Sequence, residues 1–169
     1  NIGVFKGDFV AQNVAVREEA LFDYKFADFD GFDEDAGLAF KPYTIKEVGG
    51  VRVAVIGQAF PYTPIANPQR FIPDWTFGIQ DQRMQEMVDR VRENEKPDVV
   101  VVISHNGMDV DLKMASRVSG IDVIFGGHTH DGMPAPSVVS NSGGKTLVTN
   151  AGSNGKFLGV MDLDVRNGN

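Results

Sequence analysis

Residues 99–132 read VVVVISHNGMDVDLKMASRVSGIDVIFGGHTHDG and hold all three histidines of the chain, His105, His128 and His130. Each histidine lies just past an apolar run. The continuous apolar run over residues 98–103 predicts a strand buried on both faces. Residues 111–119 suit a helix with Leu112, Ala115 and Val118 inward, Lys113 and Arg117 outward, and Gly120 as a left-handed stop. Residues 123–125 begin the next strand. Strand, helix and strand in that order make a βαβ unit, whose strands run parallel with a right-handed crossover. The fold class that follows is α/β.

Parallel neighbours bring their carboxyl ends to one edge of the sheet, where open α/β sheets bind ligands. His105 follows the first strand and His128 the second, so both side chains reach one crevice. If the segment after the second strand is extended, residues two apart face the same way, and His128 and His130 both point inward with Thr129 turned away. Gly126 and Gly127 let the backbone approach closely there. A histidine, a small residue and a second histidine form a weak signal alone. Placed after a buried strand, with a third histidine at the matching strand end, they point to metal ligation. Imidazole with oxygen ligands suits zinc, manganese or iron. Asn106 and Asp131 are candidates to orient the imidazoles, and ordinary loop hydrogen bonding accounts for them equally well. Ser104 is not a credible nucleophile, because no strained elbow motif surrounds it.

Working outward, residues 80–95 carry the clearest helical period. Met84, Met87, Val88 and Val91 form one apolar stripe, Pro97 prevents extension, and Glu86 and Arg90 sit four apart on the outer face. Residues 43–48 and 51–56 read as strands joined by Gly49-Gly50, a pair suited to the positive φ of a tight hairpin. Between hairpin and helix, Pro61, Pro64, Pro68 and Pro73 argue against regular structure, and a loop of that length is often functional. Upstream, residues 9–16 are β-prone. Residues 23–37 read as a surface excursion, with an acidic cluster (Asp23, Asp28, Asp30, Asp33, Glu34, Asp35) and aromatics (Phe22, Tyr24, Phe26, Phe29, Phe32) that pin it to a neighbouring surface. Downstream, residues 146–149 and 157–165 read as strands around a glycine-rich turn.

The 169 residues are 42% hydrophobic and 23% charged, ordinary for one globular domain. A net charge of -7 argues against nucleic-acid or anionic-membrane partners, since no basic field is present to attract phosphate. With no cysteine, thiolate ligands and disulfides are excluded. No apolar run approaches the roughly 20 residues that span a bilayer.

SHNG followed by GGHTHDG resembles the two C-terminal metal motifs of the calcineurin-like metallophosphoesterases, in particular their 5'-nucleotidase branch. KPYTIKEVGGVRVAVIGQ and NAGSNGKFLGVMDLDV resemble the flanking core strands of that branch. Within it, AVIGQAFPYTPIANPQRFIPDWTFGIQ together with SHNGMDVDLK is similar to the SoxB thiosulfohydrolases of bacterial thiosulfate oxidation. The likeness is strong over residues 40–164.

The resemblance implies part of a four-layer α/β/β/α sandwich with two divalent metal ions, manganese among the SoxB proteins. His105 and His128 would bind one ion and His130 the other. The acidic ligands and catalytic groups are expected upstream, since no aspartate-any-histidine motif occurs here. Residues 1–169 are thus expected to be a single partial domain, the C-terminal portion of a catalytic domain within a longer chain. The implied reaction is release of sulfate from a cysteine S-thiosulfonate on a sulfur-carrier protein, in the periplasm. A 5'-nucleotidase or cyclic-nucleotide phosphodiesterase on the same scaffold is one alternative, and a metal-free binding module is another.

Overall fold

A computed structural model describes residue 4, residues 6–28 and residues 31–166. Phe29 and Asp30, part of the expected aromatic and acidic excursion, lie outside the described residues. In chain order the elements are β1 (Ala15–Val16), α1 (Glu18–Leu21), β2 (Tyr43–Val48), β3 (Val51–Gln58), α2 (Thr63–Ala66), a 3-10 turn (Gln69–Phe71), β4 (Trp75–Thr76), α3 (Asp81–Asn94), β5 (Val99–Ser104), α4 (Met108–Arg117), β6 (Val123–Gly126), β7 (Ser137–Asn141) and β8 (Gly144–Asn150). Among the described residues one six-stranded sheet runs β2-β3-β5-β6-β8-β7, and β1 pairs β4 in a separate ribbon.

The βαβ reading holds. β5 and β6 are parallel, with Val101 opposite Val123 and Ile103 opposite Phe125. β3 joins β5 in parallel on one side and β8 joins β6 in parallel on the other. Side-chain alternation along a strand sorts the sheet into two faces. On one face Ala54, Ile56, Val100, Val102, Ile124 and Val148 pack under the α3 stripe and under Met114 and Ala115 of α4. Met84 and Val88 are fully buried, and each such side chain contributes about 1.5–3 kcal/mol. The other face carries Val99, Val101 and Val123 with Val51, Val53, Leu147 and Met161. Ile103 and Phe125 on that face stay exposed.

Several expectations change. The expected strand over 9–16 contracts to Ala15–Val16, because residues 11 and 12 cross the end of the sheet, donating to Lys41 O and Gly57 O at 2.9 Å each. The proline-rich loop contains α2 and a 3-10 turn; Pro64 falls in the first turn of α2, where its missing N–H is tolerated. α4 begins at Met108 rather than 111 and ends at Arg117, with Gly107 at φ 100 preceding it. The Glu86–Arg90 pair does not form; Arg90 turns to the Met87 sulfur, and Asp81 of α3 pairs with Arg117 of α4 at 2.7 Å. β7 was not anticipated.

Residues 157–165, expected as a strand, run as irregular chain. Residues 157–161 lie beside Phe125 and Thr149 around a cavity of about 830 Å³. The strands next to them, β6 and β8, are each paired on both sides, so no ladder edge is available. The aromatic excursion packs on this chain: Tyr24 contacts Phe32 and Phe26, Phe26 contacts Trp75, and Trp75 contacts Phe40. Trp75 Nε1 donates to the Tyr24 hydroxyl at 2.7 Å. Phe22 stays fully exposed.

Candidate metal centre

The carboxyl ends of β3, β5 and β6 meet at one edge of the sheet. The His105 N–H donates to Gln58 O at 2.9 Å, carrying the β3–β5 ladder one residue past the strand. His128 comes from the loop after β6. Their ring centres are 5.2 Å apart with planes at 67°. An imidazole bound at about 2.1 Å puts its ring centre about 3.2 Å from the metal, so two ligands on one ion have centres about 4.5–5.2 Å apart. The pair therefore fits shared coordination. Burial, followed by the neighbouring His128 and His130, holds the His105 imidazole below its ordinary pKa, which favours the neutral form that ligates. Among the described residues no group of three or more His, Asp or Glu is gathered closely enough to hold an ion alone.

The loop conformation differs from the expected extended segment. His128 (φ 72) and His130 (φ 59) both sit in the left-handed region, uncommon for a non-glycine residue but several-fold enriched for histidine. Thr129 is fastened by its hydroxyl, which accepts from Met108 N at 3.0 Å at the start of α4 and donates to Asp131. Asp131 and Asn106 make no hydrogen bond to an imidazole among the described residues. Asp131 holds Thr129, while Asn106 is buried and bonded to Asp111 and Gln58. Gly127 does permit close approach: a Cβ there would lie 3.1 Å from His105 Nδ1.

Three contributors escaped the sequence reading. Phe60, from the proline-rich loop, stacks on His128 at 4.0 Å between ring centres and stands edge-on to His105 at 6.1 Å. Gln58 ends β3, two residues beyond the strand end expected. Asp111 is fully buried, and the available signal was its position on the same stripe as Ala115 and Val118. Asp111 Oδ1 accepts from Ser104 Oγ at 2.6 Å and Asn106 Nδ2 at 3.1 Å, whereas its Oδ2 has no hydrogen-bond partner. Ser104 is thus committed to a structural bond.

Burial raises the Asp111 carboxyl from 3.8 to about 6, against the lowering effect of Ser104 and Asn106. A carboxyl that holds its proton more tightly when folded loses stability as pH rises from about 4 through 6, at a cost of about 3 kcal/mol above that range. Thermal unfolding of wild type and Asp111→Asn at pH 5 and pH 7.5 checks this. The wild type should gain on the variant at the acid pH, and an unchanged difference excludes the ionisation.

No family model matches the chain. Over 134 residues it is 34% identical to the trifunctional nucleotide phosphoesterase protein YfkN of Bacillus subtilis, an alignment covering 79% of this chain and 9% of that protein. The solved sulfate thiohydrolase SoxB of Thermus thermophilus superposes with a TM-score of 0.72 and 34% identity, covering 90% of this chain and 24% of SoxB. A 5'-nucleotidase precursor, also of Thermus thermophilus, superposes with a TM-score of 0.63 and 31% identity, covering 83% of this chain and 27% of that one. The chain therefore spans about a quarter or less of the length of each of these three proteins. With a parallel sheet edge that brings His105 of SHNG beside His128 of GGHTHDG, and with these relatives, the chain belongs to the 5'-nucleotidase branch of the metallophosphoesterases.

Proposed function

We propose that residues 1–169 form the C-terminal portion of a catalytic domain and supply the histidine side of a divalent-metal centre in a hydrolase. The observation that carries this reading is the His105–His128 pair, at a ring spacing of 5.2 Å that suits one ion. His105 and His128 would hold that ion and His130 a second, with manganese the expected metal and the carboxylate ligands supplied from outside these residues. A divalent ion supplies Lewis acidity toward a tetrahedral anionic centre and lowers the pKa of coordinated water to about 7. The chain's own part is to hold His105 neutral, to fix the His128 ring against Phe60, and to keep both loops at the sheet edge.

For substrate, we favour a thiosulfonate on the cysteine of a periplasmic sulfur-carrier protein. Likeness to SoxB at 34% identity over 90% of the chain supports it. In that reaction the oxygen of water joins the terminal sulfonyl sulfur, the sulfur–sulfur bond breaks, sulfate leaves, and the carrier keeps its sulfur. A nucleoside monophosphate is the competing substrate, because its phosphoryl centre is also tetrahedral and anionic and the similarity to the 5'-nucleotidase precursor is nearly as high. The test measures sulfate released from a thiosulfonate-loaded carrier and phosphate released from AMP by the intact protein. Sulfate release is expected to dominate; AMP turnover without sulfate release would sink the thiosulfonate assignment.

A further inference from the structure

We propose that Asp111 is a positioning residue that sets the spacing between the two histidine-bearing loops; this rests on the metal-centre reading above. Three observations converge on it. Asp111 Oδ1 receives Ser104 Oγ at 2.6 Å and Asn106 Nδ2 at 3.1 Å. Those donors are the residues on either side of His105, so one oxygen grips the chain before and after the imidazole. Asp111 Oδ2 lies against the end of β6, from which the other loop starts: a Cβ on Gly126, two residues before His128, would lie 2.6 Å from it. A single carboxylate therefore borders both the residues that flank His105 and the strand end that leads to His128.

The contact extends sideways. Asn106 Oδ1 accepts from Gln58 Nε2 at 3.0 Å, and Gln58 Oε1 accepts from Gln12 Nε2 at 2.7 Å. These amides are all buried. A chain of polar side chains thus runs beneath the sheet edge from the N-terminal segment to Asp111.

The apolar packing of this helix face gives no reason for a carboxylate here. Asp111 shares its helix face with Ala115 and Val118, both buried in the apolar core, and a buried charge with one unpartnered oxygen is costly. Leucine has the same branching and heavy-atom count and would satisfy that face. What leucine cannot do is receive Ser104 and Asn106. The carboxylate is explained by the loops it ties.

The experiment titrates manganese(II) into the metal-stripped intact protein and records thermal unfolding of each variant alongside. Asp111→Leu should weaken manganese binding about 10–100-fold, the usual effect of removing a group that orients ligands, at temperatures where the unfolding curve shows the variant still folded. Asp111→Asn retains an oxygen acceptor at Oδ1 and should stay within a few-fold of wild type. Ser104→Ala removes one of the two bonds and should weaken binding by an intermediate factor, which keeps the inference testable if the leucine variant does not fold. Wild-type affinity in Asp111→Leu or, where that variant does not fold, in Ser104→Ala overturns the positioning role alone. Absence of manganese binding by the wild type overturns the metal reading and this inference together.

Discussion

Replacing His128 with alanine in the intact protein should strip metal from the centre and lower turnover by at least about a hundred-fold. His128 is one of two imidazoles whose 5.2 Å spacing suits a single ion, and Phe60 stacked at 4.0 Å holds its ring plane. On the proposed ligation, its removal would leave His105 as the sole ligand of that pair. Metal ions stabilise transition-state charge by several kcal/mol, and each 1.4 kcal/mol is about tenfold in rate. Stability should move little, because the residue is exposed and substitutions away from the core usually stay within about 0.5 kcal/mol. Elemental analysis with parallel turnover and unfolding measurements separates the outcomes. Unchanged metal content in the variant removes His128 from the ligand set. A metal-free wild type removes the metalloenzyme reading and leaves a binding module.

The sequence made the framework legible where periodicity is unambiguous. The α3 stripe of Met84, Met87, Val88 and Val91 is buried as its spacing requires. The hairpin closes over Gly49 at φ 60 and Gly50 at φ 82, the positive angles that a pair of glycines predicts. The convergence of His105 and His128 also followed from parallel strand order. Loop conformation was less legible: nothing in GGHTHDG announces that two histidines, rather than its glycines, take positive φ. Asp111 was hidden by its type, since an acidic residue on a helix is ordinarily assigned to solvent. The tail 157–165 has strand composition, but a strand also needs an unpaired edge, and its neighbours β6 and β8 offer none. β7 was legible in principle, because Gly143-Gly144 separates two β-prone runs.

Gly57→Ala should be among the most destabilising single changes in the chain, for a reason that composition cannot reveal. A Cβ at position 57 would lie 1.9 Å from Val10 O, 2.3 Å from Val10 C and 2.9 Å from Ala11 N. All three atoms are backbone, so no side chain can swing aside. The crossing segment must lift, which breaks the Gln12 N–Gly57 O bond of 2.9 Å and loosens the Ala11 N–Lys41 O bond of 2.9 Å. Overpacking costs about 1–3 kcal/mol, and a buried group left unpaired costs about 1–3 kcal/mol more. For a domain of this size each kcal/mol shifts the unfolding temperature by about 2–4 °C, so a fall of roughly 10 °C is expected. Gly49→Ala is the control. It has positive φ but nothing within 4 Å of the added carbon, so its cost should be only about 1 kcal/mol. The lifted segment also carries Gln12, whose Nε2 bonds Gln58 beside the histidine edge. Gly57→Ala should therefore weaken manganese binding as well, at temperatures where the protein remains folded. An unfolding temperature equal to that of Gly49→Ala would show that residues 10–12 do not cross the sheet at Gly57, and that the buried amide chain does not begin there.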